Sequence, residues 1–121
     1  MNLLCWNCRG LRNPQVVRSL IELVRLKKPK VVFLCETLLD RRSTERAKRR
    51  LGFQHCFTVE RNGRNGGLAM MWDQQLQLHL QSYSANHIDM EVVGVVQDKW
   101  HFTGFYGFPE RQNRRKSWAL I

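Results

Sequence analysis

The amino-acid sequence predicts an α/β (α+β) fold in which a strand–helix–strand unit is followed by antiparallel strands. Three observations predict it. Two short apolar runs, Leu3–Trp6 and Val31–Cys35, flank a stretch whose apolar residues recur at helical spacing. The second run, Val-Val-Phe-Leu-Cys, is continuous and partly β-branched, the pattern of a strand buried on both faces. From residue 67 onward, apolar segments of strand length alternate with turn-forming residues. Hydrophobic residues are 43% of the 121 residues, enough for one core and hence one domain.

The elements follow in order. Residues 2–7 read as a strand ended by Asn-Cys-Arg-Gly. Asn13-Pro14 is a helix start, a capping side chain followed by proline at the first helical position. Val17, Leu20, Ile21 and Val24 then share one face, which predicts a helix over 14–27 stopped by Lys28-Pro29. Residues 31–35 form the next strand, parallel to the first because a helix joins them. A second helix is expected over 43–51 with Ser43 as its cap, then a weak strand over 53–60. The glycine- and asparagine-rich segment 62–67 is a turn. Strands are expected over 67–72, 75–83, 87–96 and 99–106. Residues 110–121 are basic and predict the opening of a helix in which the chain stops.

The formal net charge of +10 favours a polyanionic partner, nucleic acid first and an anionic membrane surface second. No apolar run approaches the ~20 residues of a membrane helix. The start lacks the charged and apolar regions of a secretory signal, so the reading is of a protein that is not secreted. The cations cluster around the second helix (Arg46, Arg49 and Arg50 among them), at Arg61 and Arg64, and near the end, with Arg111, Arg114 and Arg115. Such clusters are either solvated surface or contacts to a DNA phosphate backbone. Cys5 and Cys8, with His55 and Cys56, invite a zinc reading. Strand alternation opposes it, since Cys5 points with Leu3 and Asn7 whereas Cys8 points with Leu4 and Trp6. Free thiols in a reducing compartment are expected.

Two polar residues stand where chemistry is expected. Asn7 ends the first strand and Glu36 follows the second, so both fall on the carboxyl edge of a parallel pair, where α/β sheets bind ligands. A carboxylate there suits a hard cation such as Mg²⁺, and an amide suits a phosphate oxygen. The plainer alternative is a solvated glutamate and a turn-capping asparagine.

The words around these residues add a resemblance. Cys5-Trp6-Asn7-Cys8-Arg9-Gly10-Leu11 and Val32-Phe33-Leu34-Cys35-Glu36-Thr37 resemble the first two signature motifs of the endonuclease/exonuclease/phosphatase family. Gly66-Gly67-Leu68, Asn86-His87-Ile88-Asp89 and Gly104-Phe105-Tyr106-Gly107-Phe108-Pro109 resemble later landmarks in the same order. The wording is most similar to the endonuclease domain of plant-type LINE retroelements. That resemblance implies a deoxyribonuclease I-like four-layer α/β sandwich, with Asn7 and Tyr106 as catalytic residues, Glu36 as the Mg²⁺ ligand and DNA as the partner. A nuclear location follows from the implied substrate. Arg9 stands where abasic-site relatives carry an aspartate, so that metal contact is not implied.

The family's Gly-Asp-x-Asn and Ser-Asp-His motifs do not occur in these residues. Residues 1–121 are therefore expected to be the N-terminal half of the domain, truncated at the C-terminus and inactive alone. Such a half is expected to supply mainly one sheet, its inner face uncovered and prone to self-association. The leading functional expectation is a fragment of a Mg²⁺-dependent endonuclease that nicks target DNA. The rivals are an inactive remnant that only binds nucleic acid or has no activity, and a phosphatase of the same family.

Overall fold

The computed structural model describes residues 3–60, 66–94 and 98–106, and the backbone of 118–120. The first four strands make one sheet: β1 (Leu3–Asn7), β2 (Val31–Cys35), β3 (His55–Val59) and β4 (Leu68–Trp72), in the order β1-β2-β4-β3. β1 and β2 are parallel, with Asn7 opposite Cys35, and every other pair is antiparallel. β5 (Gln77–Tyr83), β6 (His87–Val93), β7 (Lys99–Phe105) and β8 (Trp118–Leu120) form a second, antiparallel sheet in chain order. The helices α1 (Pro14–Lys27) and α2 (Arg41–Leu51) lie on the far side of the first sheet.

Helix α1 begins as its sequence dictates. Asn13 is extended, and its side chain accepts from Gln15 N at 2.9 Å. It ends at Lys28, a left-handed cap whose N–H donates to Val24 O. Helix α2 starts two residues earlier than expected, and its cap is Asp40 rather than Ser43. The Asp40 carboxylate accepts from Ser43 N at 2.8 Å, so Ser43 is the capped residue and not the capping one. That bond is the main reason the Asp40 carboxyl sits below its ordinary range; the nearby Arg12 and Arg46 add to it.

Two cores result from strand alternation in β2 and β4. Val31, Phe33 and Cys35 point with Leu68 and Met70 towards the second sheet, where Ile88, Met90, Val92 and Phe102 meet them. Val32, Leu34, Ala69 and Met71 point the other way, against Leu20 of α1 and Phe53 beyond α2. All five residues of β2 are buried, as its unbroken apolar run predicted.

Three expectations need correction. The inner face of the first sheet is not uncovered, because the chain turns at Asp73–Leu76 and builds a second sheet over it. The outer face of that second sheet is largely polar, with His79 ion-paired to Glu91 and Asp89 accepting from Thr103. The apolar sheet face on which self-association was expected is therefore a buried interface. Finally, Trp118–Leu120 forms a strand on β7 rather than a helix, because the open edge of β7 supplies backbone partners. Residues 110–117 lie outside the described residues. Among those described, no helix is long and apolar enough to cross a membrane.

The sheets come close together at Gly104, paired with Ile88. A Cβ there would lie 2.5 Å from the Phe33 ring, which itself meets Phe102 edge-on at 6.1 Å. Gly104→Ala is expected to cost about 1–3 kcal/mol through overpacking, read as a lowered urea midpoint. An unchanged midpoint would show that the sheets separate freely there.

Candidate active site

The site is built on a turn. After β2, residues 36–38 leave the sheet between two backbone walls. On one side Cys8 N, Gly10 N and Leu11 N donate to Cys35 O, Glu36 O and Thr37 O at 2.8–2.9 Å. On the other, Thr37 N and Leu38 N donate to Gly67 O and Gly66 O at 3.1 Å. Every wall group is a backbone group, and within the turn Thr37 Oγ1 accepts from Leu39 N at 3.4 Å. Arg9, Glu36 and Leu38 adopt left-handed φ values of 50°, 51° and 57°. Such values are uncommon for residues with a Cβ, and they cluster at functional sites. The two glycines are required by the same geometry. Gly67 has φ 93°, and a Cβ on it would collide with Thr37 Oγ1 and stand 3.0 Å from Leu38 N.

The turn brings Glu36 to the second sheet. The Tyr106 hydroxyl, just beyond β7, donates to Glu36 Oε1 at 2.6 Å across 70 positions of sequence. Tyr106 is held in turn by Asn86, whose backbone carbonyl accepts from Tyr106 N at 2.7 Å and whose side chain donates to Tyr106 O. Asn7 ends β1 on the same edge, one register position from Glu36. Its Oδ1 accepts from Arg9 N at 3.2 Å, so it also caps its own turn. Asn7, Glu36 and Tyr106 are all half-buried, with the exposed Arg9 beside them.

Not every candidate converges there. Arg46 and Arg50 line a groove between α1 and α2, and Arg49 is exposed on α2 outside that lining. Arg111, Arg114 and Arg115 lie outside the described residues. The sequence assigned no role to Asn86, although an asparagine opening the strand beside the one that carries Tyr106 was a usable signal. It also passed over Arg12, exposed on the loop between β1 and α1.

A matching family model spans residues 4–121 and is that of the Endonuclease/Exonuclease/phosphatase family. The chain belongs to the endonuclease/exonuclease/phosphatase family. Solved structures agree on the deoxyribonuclease I-like fold. TDP2 from D. rerio, complexed with a single-strand DNA product, superposes with a TM-score of 0.63 at 19% identity, over 89% of this chain and 46% of that one. An AP endonuclease from Archaeoglobus fulgidus gives 0.59 at 18%, over 93% and 45%. The 3′ phosphatase NExo from Neisseria, bound to a product DNA hairpin, gives 0.60 at 17%, over 94% and 47%. The chain thus spans about half the length of these neighbours. No curated protein matches it.

Members of this family are in general nucleases and phosphodiesterases that depend on a divalent metal. The donor set here fits such an ion in part. Glu36 offers a hard oxygen, and none of the described residues hydrogen-bonds its Oε2. Among the described residues, no three His, Cys, Asp or Glu side chains form a metal-holding group. One carboxylate suits Mg²⁺, which keeps several waters and takes further oxygens from phosphate.

Burial pushes the Cys35 thiol up to about 12, and the adjacent Glu36 charge adds to the effect. Burial alone takes Cys5 to about 11, and burial first, then the Cys35 and Glu36 charges, raises Cys8. Cys5 packs against the inter-sheet core and Cys8 lies in the helix-side core. A thiol whose folded pKa is raised contributes stability below its unfolded value of 9.0, and that contribution is lost as pH rises towards the folded value. Unfolding midpoints should therefore fall from pH 9 to about pH 12, and less steeply in Cys35→Ala; parallel curves for the two proteins would contradict the burial assigned to this thiol. At the turn, Gly67→Ala should lower stability by about 1–3 kcal/mol, by combining backbone strain with the Thr37 collision. A midpoint within error of the parent would mean that the turn relaxes without cost.

Proposed function

We propose that this chain carries part of a Mg²⁺-dependent DNA endonuclease of the LINE type, which nicks target DNA. The observation that supports it most is the Tyr106–Glu36 hydrogen bond, at the edge where Asn7 also ends its strand. In this reading Glu36 holds the metal through Oε2, because Tyr106 occupies and orients Oε1. Bound Mg²⁺ would stabilise charge on the phosphoryl oxygens and the leaving group. The Asn7 amide donates to a phosphate oxygen, and the Tyr106 hydroxyl sits close enough to the carboxylate to contact the same group. Arg9 faces the approaching backbone from the adjacent loop. Arg46, Arg49 and Arg50 extend the positive field along α2 without touching the scissile phosphate. Arg111, Arg114 and Arg115 add further positive charge near the end of the sequence. Neighbours of this fold described with a single-strand DNA product and a product DNA hairpin favour DNA as the substrate class. The LINE reading rests on the wording from Trp6 to Leu11, with Arg9 in place of an aspartate.

A second reading has its own support. Among the described residues no three His, Cys, Asp or Glu side chains group as metal ligands, and the sequence contains neither Gly-Asp-x-Asn nor Ser-Asp-His. The 121 residues would then bind nucleic acid without cleaving it, whether as one half of a longer enzyme or as a remnant. Both readings place the cation at Glu36, and neither expects turnover from these 121 residues alone. Mn²⁺ titrated into the isotope-labelled chain should broaden the NMR signals of Glu36 and Tyr106 first, and Glu36→Gln should abolish this. Broadening centred elsewhere would end the metal assignment. Supercoiled plasmid with Mg²⁺ should remain uncut by this chain alone, and nicking that survives Glu36→Ala would remove Glu36 from the chemistry.

A further inference from the structure

The helix layer carries a feature that the catalytic rim does not use. Between α1 and α2 runs a groove of about 620 Å³. Its floor is apolar and includes Val17 and Leu20 of α1 and Ala47 of α2, with Leu20 buried to 1% exposure. Its banks are cationic. Arg12 and Arg18 stand on the α1 side, and Arg46 and Arg50 on the α2 side. All four are exposed, and none forms an ion pair with a described residue. Asp40 is the acid that Arg12 and Arg46 influence, and its carboxylate is already engaged in capping α2. Glu45 is engaged elsewhere, paired with Lys48 at 2.8 Å.

We propose that this groove docks an amphipathic helix of a partner protein, one with an apolar ridge flanked by acidic residues. An apolar floor between two cationic banks selects against the alternatives. A phosphodiester backbone satisfies the arginines but brings no apolar ridge to the floor. A helix with leucines at positions i, i+4 and i+7 fills the floor, and its flanking carboxylates meet the banks. Arg46 and Arg50 are one turn apart on α2, about 6 Å along the axis, which matches glutamates spaced i, i+4 on the guest. Arginine forms two parallel hydrogen bonds to a carboxylate, so the banks fix orientation as well as charge. A second copy of this chain is a poor guest. At net +10 it is repelled, and neither described helix presents two acids one turn apart.

The groove shares no residue with Asn7, Glu36 or Tyr106, so loss of the proposed nuclease site would leave it standing; Arg46 and Arg50 enter both readings, and duplex DNA is therefore one arm of the test. The test uses the 121-residue chain and a fluorescein-labelled peptide of about four turns. The peptide carries leucine at the ridge positions and glutamate beside them, and binding is followed by anisotropy at physiological ionic strength. Saturable binding is expected. Arg46→Glu with Arg50→Glu should weaken it at least tenfold, and so should Arg18→Glu on the opposite bank. Arg25→Glu, equal in charge change to Arg18→Glu but outside the groove, should leave the affinity within twofold, and a peptide with lysine for glutamate should not bind. All the altered arginines are exposed, so folding is preserved and is checked by circular dichroism. The proposal is overturned by absence of saturable binding, or by equal loss in Arg25→Glu, which would mean bulk charge alone. It is also overturned if duplex DNA binds with the same dependence on Arg18, Arg46 and Arg50 and displaces the peptide, which would make the groove a nucleic-acid surface.

Discussion

The site depends on the left-handed turn at Glu36. Two strands, β2 and β4, deliver backbone groups to it, and the loop after β1 delivers a third set. None of these bonds involves a side chain that could be exchanged for another. The turn is therefore a property of strand order. With β2 between β1 and β4, its carboxyl end has a backbone wall on each side. A glutamate with φ 51° is costly in isolation, by roughly 1–2 kcal/mol on the usual scale for left-handed L-residues. It persists because five hydrogen bonds from neighbouring chain segments hold residues 35–38 in place. The result is a carboxylate that leaves the sheet towards Tyr106 rather than continuing along the strand.

Much of this was legible in the sequence where local chemistry decides. Asn13-Pro14 specified the start of α1, and the unbroken run 31–35 specified a strand buried on both faces. The carboxyl-edge argument put Asn7 and Glu36 on one rim, where the register now places them. Legibility failed where two residues compete for one role. Asp40 and Ser43 are both capping types, and only the extended φ and ψ of Asp40 decide between them. It failed again for contacts distant in sequence. That Tyr106 meets Glu36 is a consequence of two sheets packing face to face, which periodicity cannot reveal. The second sheet itself was underestimated. Its strands were recognised, but alternation along one strand says which face is apolar and not which sheet that face covers.

The same packing explains how the cations are distributed. An inner face shared by two sheets has no room for charge, and the described basic residues are pushed to the helix layer, the strand ends and the outer sheet face. The +10 balance is therefore not one uniform field. Arg9 lies beside the carboxylate that would hold a metal, while Arg12, Arg46 and Arg50 border an apolar groove. A phosphate and an acidic helix are both anionic, yet only the second has an apolar side. The hydrophobic floor, and not the sign of charge, is what separates the two surfaces.

Site geometry and fold stability are coupled through Gly104. It lies two residues before Tyr106 and faces the Phe33 ring, which lies three residues before Glu36. The two strands that lead to the Tyr106–Glu36 contact are thus pressed together one pleat below it. A change that pushed the sheets apart by the width of a methyl group would lengthen the 2.6 Å contact above, since both strands are stiff over so short a span. The hydroxyl would then lose its acceptor while the carboxylate kept its strained turn. The glycine in Gly104-Phe105-Tyr106 accordingly acts as a spacer, setting the distance at which the second sheet presents its tyrosine to the first sheet's glutamate.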